Sequence, residues 1–168
     1  LWDKSLNVDG LKTGHTSGAG FNLIASSVNG QRRLIAVVMG GESPKGREEQ
    51  ARKLLHWGDD NFDTVQILHK GKQVGSERVW YGDKEKVALG TDRDFWLALP
   101  KADLDHIKAK YVLNGKELEA PMPANQQVGE VELYDNGKLV ARSPLVTLEA
   151  IEKGGVFSRM SDYLHHVL

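Results

Sequence analysis

Asp9-Gly10-Leu11-Lys12-Thr13-Gly14-His15-Thr16 stands ahead of two apolar, β-prone runs, Asn22 to Val28 and Arg33 to Gly40, that meet at Asn29-Gly30. An Asn-Gly pair between such runs signals a hairpin, because both residues accept the positive φ of a tight turn. Leu11 to Thr16 is a short strand candidate leading into it. After the hairpin, Gly41 to Pro44 reads as a loop, and a helix is expected from about Gly46 to Asn61, with Ser43-Pro44 as its start signal. Ala51, Leu54, Leu55 and Phe62 fall on one face of a helical period and form its expected inward side. Strand, hairpin and helix in this order give the first third an α/β character.

Lys12-Thr13-Gly14 is the sharpest chemical feature of that stretch. On a strand, alternate side chains share a face, so Lys12 and Gly14 point one way and Thr13 the other. A peptide can lie along such an edge through main-chain hydrogen bonds, and Gly14 lets it approach with no Cβ in the way. Lys12 offers a fixed positive charge and Thr13 a hydroxyl donor, a pair suited to a carboxylate. The plainer reading of the same tripeptide is an exposed lysine beside a glycine turn.

From about Thr64 the apolar period shortens to two. Ile107, Ala109, Tyr111 and Leu113 alternate with Lys108, Lys110 and Val112, and Val131 and Leu133 with Glu130, Glu132 and Tyr134. Turn signals recur at Lys70-Gly71, Gly82-Asp83, Asn114-Gly115 and Asn136-Gly137. Short strands with regularly spaced turns predict a small all-β sandwich or barrel. The expected divisions are residues 1–63, 64–150 and a C-terminal amphipathic helix over 151–168, whose stripe is Phe157, Met160, Tyr163, Leu164 and Val167. That helix packs on the β-rich part or lies in a membrane interface; its weakly basic polar face does not favour the membrane.

The bulk composition excludes several classes. The chain has 168 residues, 40% hydrophobic and 27% charged, with net charge −1 and no block of like charges, so nothing attracts nucleic acid. Its apolar runs fall short of the roughly 20 residues that cross a bilayer. The absence of cysteine removes disulfides, thiolate metal sites and cysteine nucleophiles. The six histidines (His15, His56, His69, His106, His165, His166) show no His-x-x-x-His pair, and neither metal nor other cofactor is expected. Trp2, Trp57, Trp80 and Trp96 are expected in core or interdomain packing. Asp9 is a turn former or the partner of a nearby cation.

Longer matches add to this reading. Leu1-Trp2-Asp3 through Thr16, Ala19 through Ser26, Lys45-Gly46-Arg47-Glu48, Lys53-Leu54-Leu55 and Trp57-Gly58 resemble the catalytic domain of low-molecular-mass penicillin-binding proteins of the D-alanyl-D-alanine carboxypeptidase family. Val79 through Asp83, Leu99-Pro100, Lys108 through Tyr111, Ala120-Pro121, Gln127-Val128-Gly129 and Pro144-Leu145-Val146 resemble that family's second, β-rich domain. The nearest likeness is to enterobacterial enzymes with a short C-terminal end. The fold this implies is the α/β portion of a penicillin-binding/β-lactamase-like catalytic domain, then a small all-β sandwich-like domain and the C-terminal amphipathic helix. A fragment of a β-lactamase is the weaker reading, because the β-rich second part has no place in a single-domain β-lactamase.

The resemblance implies an acyl-enzyme mechanism on peptidoglycan stem peptides ending in D-alanyl-D-alanine, with β-lactams as mimics. Lys12, Thr13 and Gly14 would be the family's third motif, the main-chain N–H of His15 an oxyanion donor, and Arg47, with Lys12 and Thr13, a holder of the substrate carboxylate. The implied place is the periplasm, with the inner-membrane surface as a further contact. No Ser-x-x-Lys occurs in the sequence, so the nucleophile is expected on a missing N-terminal part of the same catalytic domain. A non-catalytic positioning or partner-binding module of the cell envelope is the competing expectation.

Overall fold

The computed structural model describes residues 4–115, 117–155 and Tyr163. Of the expected C-terminal stripe only Tyr163, which is helical and exposed, lies among the described residues, and Leu1, Trp2 and Asp3 lie outside them. The helix expected from residue 151 needs correction at its start: Ile151 and Lys153 form antiparallel bridges with Met122 and Gly82, because the Ile151 side chain is buried in the β-rich core. The chain divides into two compact units: Leu1–Val65 with Ala98–Ala102, and Gln66–Leu97 with Asp103–Leu168.

In the first unit, β1 (Val8–Thr16), β2 (Gly20–Asn29) and β3 (Arg32–Gly41) form an antiparallel sheet in the order β1-β2-β3. The expected hairpin forms, but its turn lies one residue on: Asn29 ends β2 paired with Arg32, and Gly30-Gln31 make the turn, with Gly30 at φ 59°. Helix α1 (Pro44–Asn61) packs on β2 and β3. Its N-cap is Ser43, in extended conformation, whose hydroxyl accepts from the Gly46 N–H at 3.0 Å, and Pro44 opens the first turn.

Alternation on the strands sorts the sheet's two faces. Leu23, Ala25 and Ala36 turn to the helix and are buried with Leu6, Ala51 and Leu55. Ile24, Ile35, Val37 and Met39 turn the other way and are 48–80% exposed. The helix's expected inward side needs correction. Ala51, Leu55 and Gly58 are buried, whereas Leu54 is 47% exposed. Small residues on the sheet and at Gly58 allow a narrow, close contact: a Cβ at Gly58 would sit 3.0 Å from a Leu34 methyl. A helix seated that tightly buries a thinner stripe than a helical wheel suggests.

The second unit is built on a six-stranded sheet in the order β8-β10-β11-β6-β5-β9. These are β5 (Gln73–Trp80), β6 (Lys86–Gly90), β8 (Ile107–Leu113), β9 (Leu118–Glu119), β10 (Gln127–Asp135) and β11 (Lys138–Thr147). β4 (Phe62–Leu68) and β7 (Phe95–Pro100) make a separate two-stranded sheet, and a 3₁₀ turn spans Lys101–His106. Asn136-Gly137 closes the β10–β11 hairpin with φ of 45° and 82°. Asn114-Gly115 closes no hairpin. β8 pairs instead with β10, and the short β9 runs parallel to β5.

The long sheet folds over on itself. Tyr111 of β8 stands above Gly75 of β5, where a Cβ would meet its ring at 2.4 Å, and donates to Glu77 Oε1 at 2.8 Å. Between them lies a core of Val79, Val87, Leu89, Val131, Leu133 and Leu145, closed by Leu68, Leu118, Met122 and Ile151. The predicted alternation on β10 is realised: Val131 and Leu133 are buried while Glu130 and Glu132 are half-buried. Of the tryptophans, Trp57 and Trp96 are 58% and 40% exposed and so are not core residues, whereas Trp80 is half-buried under the Arg78 guanidinium at 4.0 Å.

Candidate active-site edge

β1 is an edge strand of its sheet, paired on one side with β2. Lys12 lies across from Ile24, which lies across from Val37, so the lysine rises from the sheet face opposite α1. Thr13 pairs with Leu23 and Val38 in register and points the other way, the alternation predicted from the sequence. Lys12, Thr13, Gly14 and His15 are all exposed. The Lys12 ammonium donates only weakly at home, to the Thr13 carbonyl at 3.2 Å. Beside this strand is a shallow concavity of about 780 Å³, bordered by Lys12, Gly14, Asn22, Ile24, Val37 and Met39.

Gly14 has no structural reason to be glycine. Its φ is not positive, and a Cβ built there meets nothing within 4 Å. Glycine inside a strand weakens it, so the position keeps a cost that the fold does not require. Gly20 at the next turn is different: φ is 67° and a Cβ would come within 2.9 Å of the Gly41 carbonyl oxygen.

Arg47 comes to this edge from the first turn of α1. Its Nη1 donates to the carbonyls of Gly14 and Asn22, each at 3.3 Å, and its guanidinium lies 5.6 Å from the centre of the Phe21 ring. His15 stacks on the other partner of this group, Phe21, at 4.0 Å between centroids and 25° between planes. Asn22 completes the web, accepting from the Gly40 N–H at 2.9 Å. Five of these residues, Gly14, His15, Phe21, Asn22 and Arg47, thus join the ends of β1, β2 and α1. Arg47 holds main chain here, and its Nε is buried without a partner. Phe21 and Asn22 carried no role in the sequence reading. A polar Asn within an otherwise apolar strand was the available signal.

Asp9 is answered by Arg33, which grips both its oxygens at 3.0 and 2.9 Å. This guanidinium, followed by Ser26, holds the Asp9 carboxyl below its ordinary value. Ser5-Leu6-Asn7 spells a Ser-x-Asn ahead of Lys12, yet Leu6 is buried, Asn7 turns at φ 45° and the Asn7 carbonyl accepts from Val28 N–H at 3.2 Å. The triplet serves the entry to β1.

The family profile for the C-terminal domain of penicillin-binding protein 5 matches residues 62–153, and that for D-alanyl-D-alanine carboxypeptidase matches residues 1–43. Residues 62–153, more than half of the chain, place it in the family of penicillin-binding protein 5 C-terminal domains. The chain is 75% identical over 166 residues to D-alanyl-D-alanine carboxypeptidase DacD of Salmonella typhimurium, and 71% identical over 166 residues to that of Escherichia coli. Both alignments cover 99% of this chain and 43% of the relative. Penicillin-binding protein 5 from Haemophilus influenzae superposes with a TM-score of 0.78 at 44% identity, over 90% of this chain and 44% of that one. The chain therefore spans under half the length of the carboxypeptidases it resembles.

Proposed function

We propose that the Lys12-Thr13-Gly14 edge is the substrate-binding arm of a serine D-alanyl-D-alanine carboxypeptidase working on peptidoglycan stem peptides in the periplasm. The observation that carries this reading is Gly14, a mid-strand glycine on an open edge that the fold itself does not need. A D-alanyl-D-alanine end would lie along β1, its carboxylate against the Lys12 ammonium and the Thr13 hydroxyl. The His15 main-chain N–H would face the oxyanion, a contact commonly worth about 3 kcal/mol in the transition state. Arg47, fastened to the Gly14 carbonyl, would keep that end of the strand in place and lend its charge to the substrate carboxylate.

The nucleophile would come from residues outside these 168, since no Ser-x-x-Lys occurs among them. Its serine would attack the peptide carbonyl, the terminal D-alanine would leave with a proton, and water would release the shortened peptide from the ester. β-Lactams would acylate the same serine. The uncovered apolar face formed by Ile24, Ile35, Val37 and Met39 supports this, because a face of that kind calls for covering protein. The first 63 residues would then be one part of a catalytic domain. The region from 64 through the bridged residues Ile151 and Lys153 would be a second domain, and the residues after 155 an amphipathic helix resting on protein or on the inner membrane. No helix among the described residues is long and apolar enough to cross a membrane.

A second reading, a positioning module without chemistry of its own, is favoured by the missing Ser-x-x-Lys. One experiment separates the two. The chain is joined to the portion of the Salmonella relative that it does not cover, and acylation by a fluorescent penicillin is timed. The enzyme reading expects a covalent adduct on the joined protein, none on the chain alone, and acylation slowed about a hundredfold by Lys12→Ala. An adduct on the isolated chain, or unaltered acylation of the Lys12→Ala protein, would sink it.

A further inference from the structure

The second unit brings together three ligand-type side chains from two places in the sequence, Asp103 with His106 and Asp135. Asp103 and His106 are both on the 3₁₀ turn Lys101–His106, where residues three apart eclipse one another. That geometry puts the Asp103 carboxylate 3.9 Å from His106 Nδ1. Asp135 arrives from the end of β10, in register with Ile107, the residue immediately after the histidine. One potential ligand atom from each of the three lies within 4.8 Å of the other two. Next to them is a cleft of about 610 Å³, lined in part by His106, Lys108, Tyr134 and Asn136.

We propose that Asp103, His106 and Asp135 form a binding site for a borderline divalent cation of the zinc class, separate from the Lys12 edge. The donor set is one imidazole nitrogen and two carboxylates, supplied by two different elements. Calcium and magnesium prefer all-oxygen shells completed by water, whereas zinc, cobalt and nickel accept mixed nitrogen and oxygen sets, so the imidazole favours the latter. Bond lengths of about 2.0–2.2 Å to zinc would require the three donors to draw inward by about an ångström. The residues are half-buried or exposed, which leaves their side chains room to rotate toward a cation. Asn136 Nδ2, 3.3 Å from His106 Nδ1 and 3.1 Å from Asp135 Oδ1, bridges the two groups and would turn aside as a cation took its place between them. With three protein ligands the cation would keep one or more waters. It would act as a clip between the 3₁₀ turn and the β10–β11 hairpin, not as the centre of the peptidase chemistry.

The test is titration of the chain with zinc by calorimetry and with cobalt by visible absorption. The expected result is saturable binding of a single equivalent, with a cobalt d–d band, weakened about tenfold or more in both His106→Ala and Asp135→Asn. Because neither side chain belongs to the core, circular dichroism of the variants should match the parent, so lost binding would not reflect lost folding. The controls His69→Ala and a His165→Ala/His166→Ala double variant should bind as the parent does. Absence of saturable binding up to about 100 µM would overturn the proposal. So would binding that survives Asp135→Asn or disappears with the adjacent C-terminal histidines.

Discussion

Two glycines show how differently one residue type can be used. Gly14 borders empty space, and Gly129 on β10 borders none: a Cβ at Gly129 would lie 2.0 Å from the Val112 carbonyl oxygen and 3.0 Å from Leu113 Cα. No rotamer change relieves a clash with main chain, so β8 and β10 would have to part. Gly129→Ala should lower unfolding free energy by more than about 3 kcal/mol, read as an early loss of the second unit's transition in urea. A midpoint within experimental error of the parent would disprove the close crossing. Gly14 drew attention in the sequence because it closes a recognisable tripeptide. Gly129 was visible only as part of a resemblance, since nothing local announces which carbonyl of a distant strand will press against it. Asp9 stood between turn former and ion-pair partner, and Arg33 decides for the pair.

At the level of single elements, the parts governed by neighbouring residues were readable. Asn136-Gly137 and the Ser43-Pro44 start of α1 do what turn and cap chemistry predicts, while at Asn29-Gly30 the hairpin forms with its turn one residue on, at Gly30-Gln31. Ser43→Ala removes the acceptor for the Gly46 N–H and should cost about 1 kcal/mol. Ser43→Asp, which keeps an acceptor at the helix N-terminus, should recover most of that, and equal loss in both would show that the cap contributes nothing. The parts set by partners elsewhere were not readable. Leu54 obeys the helical period yet is exposed, because the neighbouring sheet is narrow and small-sided. Asn114-Gly115 has hairpin spelling, but the strand beyond it, β9, pairs in parallel with β5. The cluster around Arg47 was half legible: the arginine was named for a substrate role, while its grip on the Gly14 and Asn22 carbonyls depends on how α1 meets the sheet.

For the molecule as a whole, ionic rows along the sheets contribute to the response to acid. On the second unit's sheet, Glu132 lies in register between Lys110 and Arg142, 3.2 and 3.3 Å from them, and accepts from the Tyr134 hydroxyl at 2.6 Å. Tyr134 first, then Lys110, hold the Glu132 carboxyl below its ordinary value, as Arg33 does for Asp9. A lowered folded value means that the unfolded chain takes up the proton more readily. The stabilisation is therefore complete above the unfolded carboxylate range, about pH 4, and is lost as pH falls through the lowered folded values. Urea midpoints measured from about pH 6 to about pH 3 should fall less steeply for Glu132→Gln than for the parent. Identical slopes would remove Glu132 from the acid response. Lys110 and Arg142 reach solvent although the Glu132 side chain between them is largely covered, so added salt should shrink the difference in part.

The return of Ala98–Ala102 to the first unit has a further consequence. Lys101 donates to the Asp59 carbonyl at 3.1 Å, a bond to the last turn of α1 made by residues that follow much of the β-rich chain. The boundary is therefore crossed three times, and no single cut separates two intact modules. A gene truncated after Val65 would encode a first unit without its final segment. Recombination between relatives would be expected to exchange the whole stretch in register, so the two units should share an inheritance more closely than modules joined by one linker.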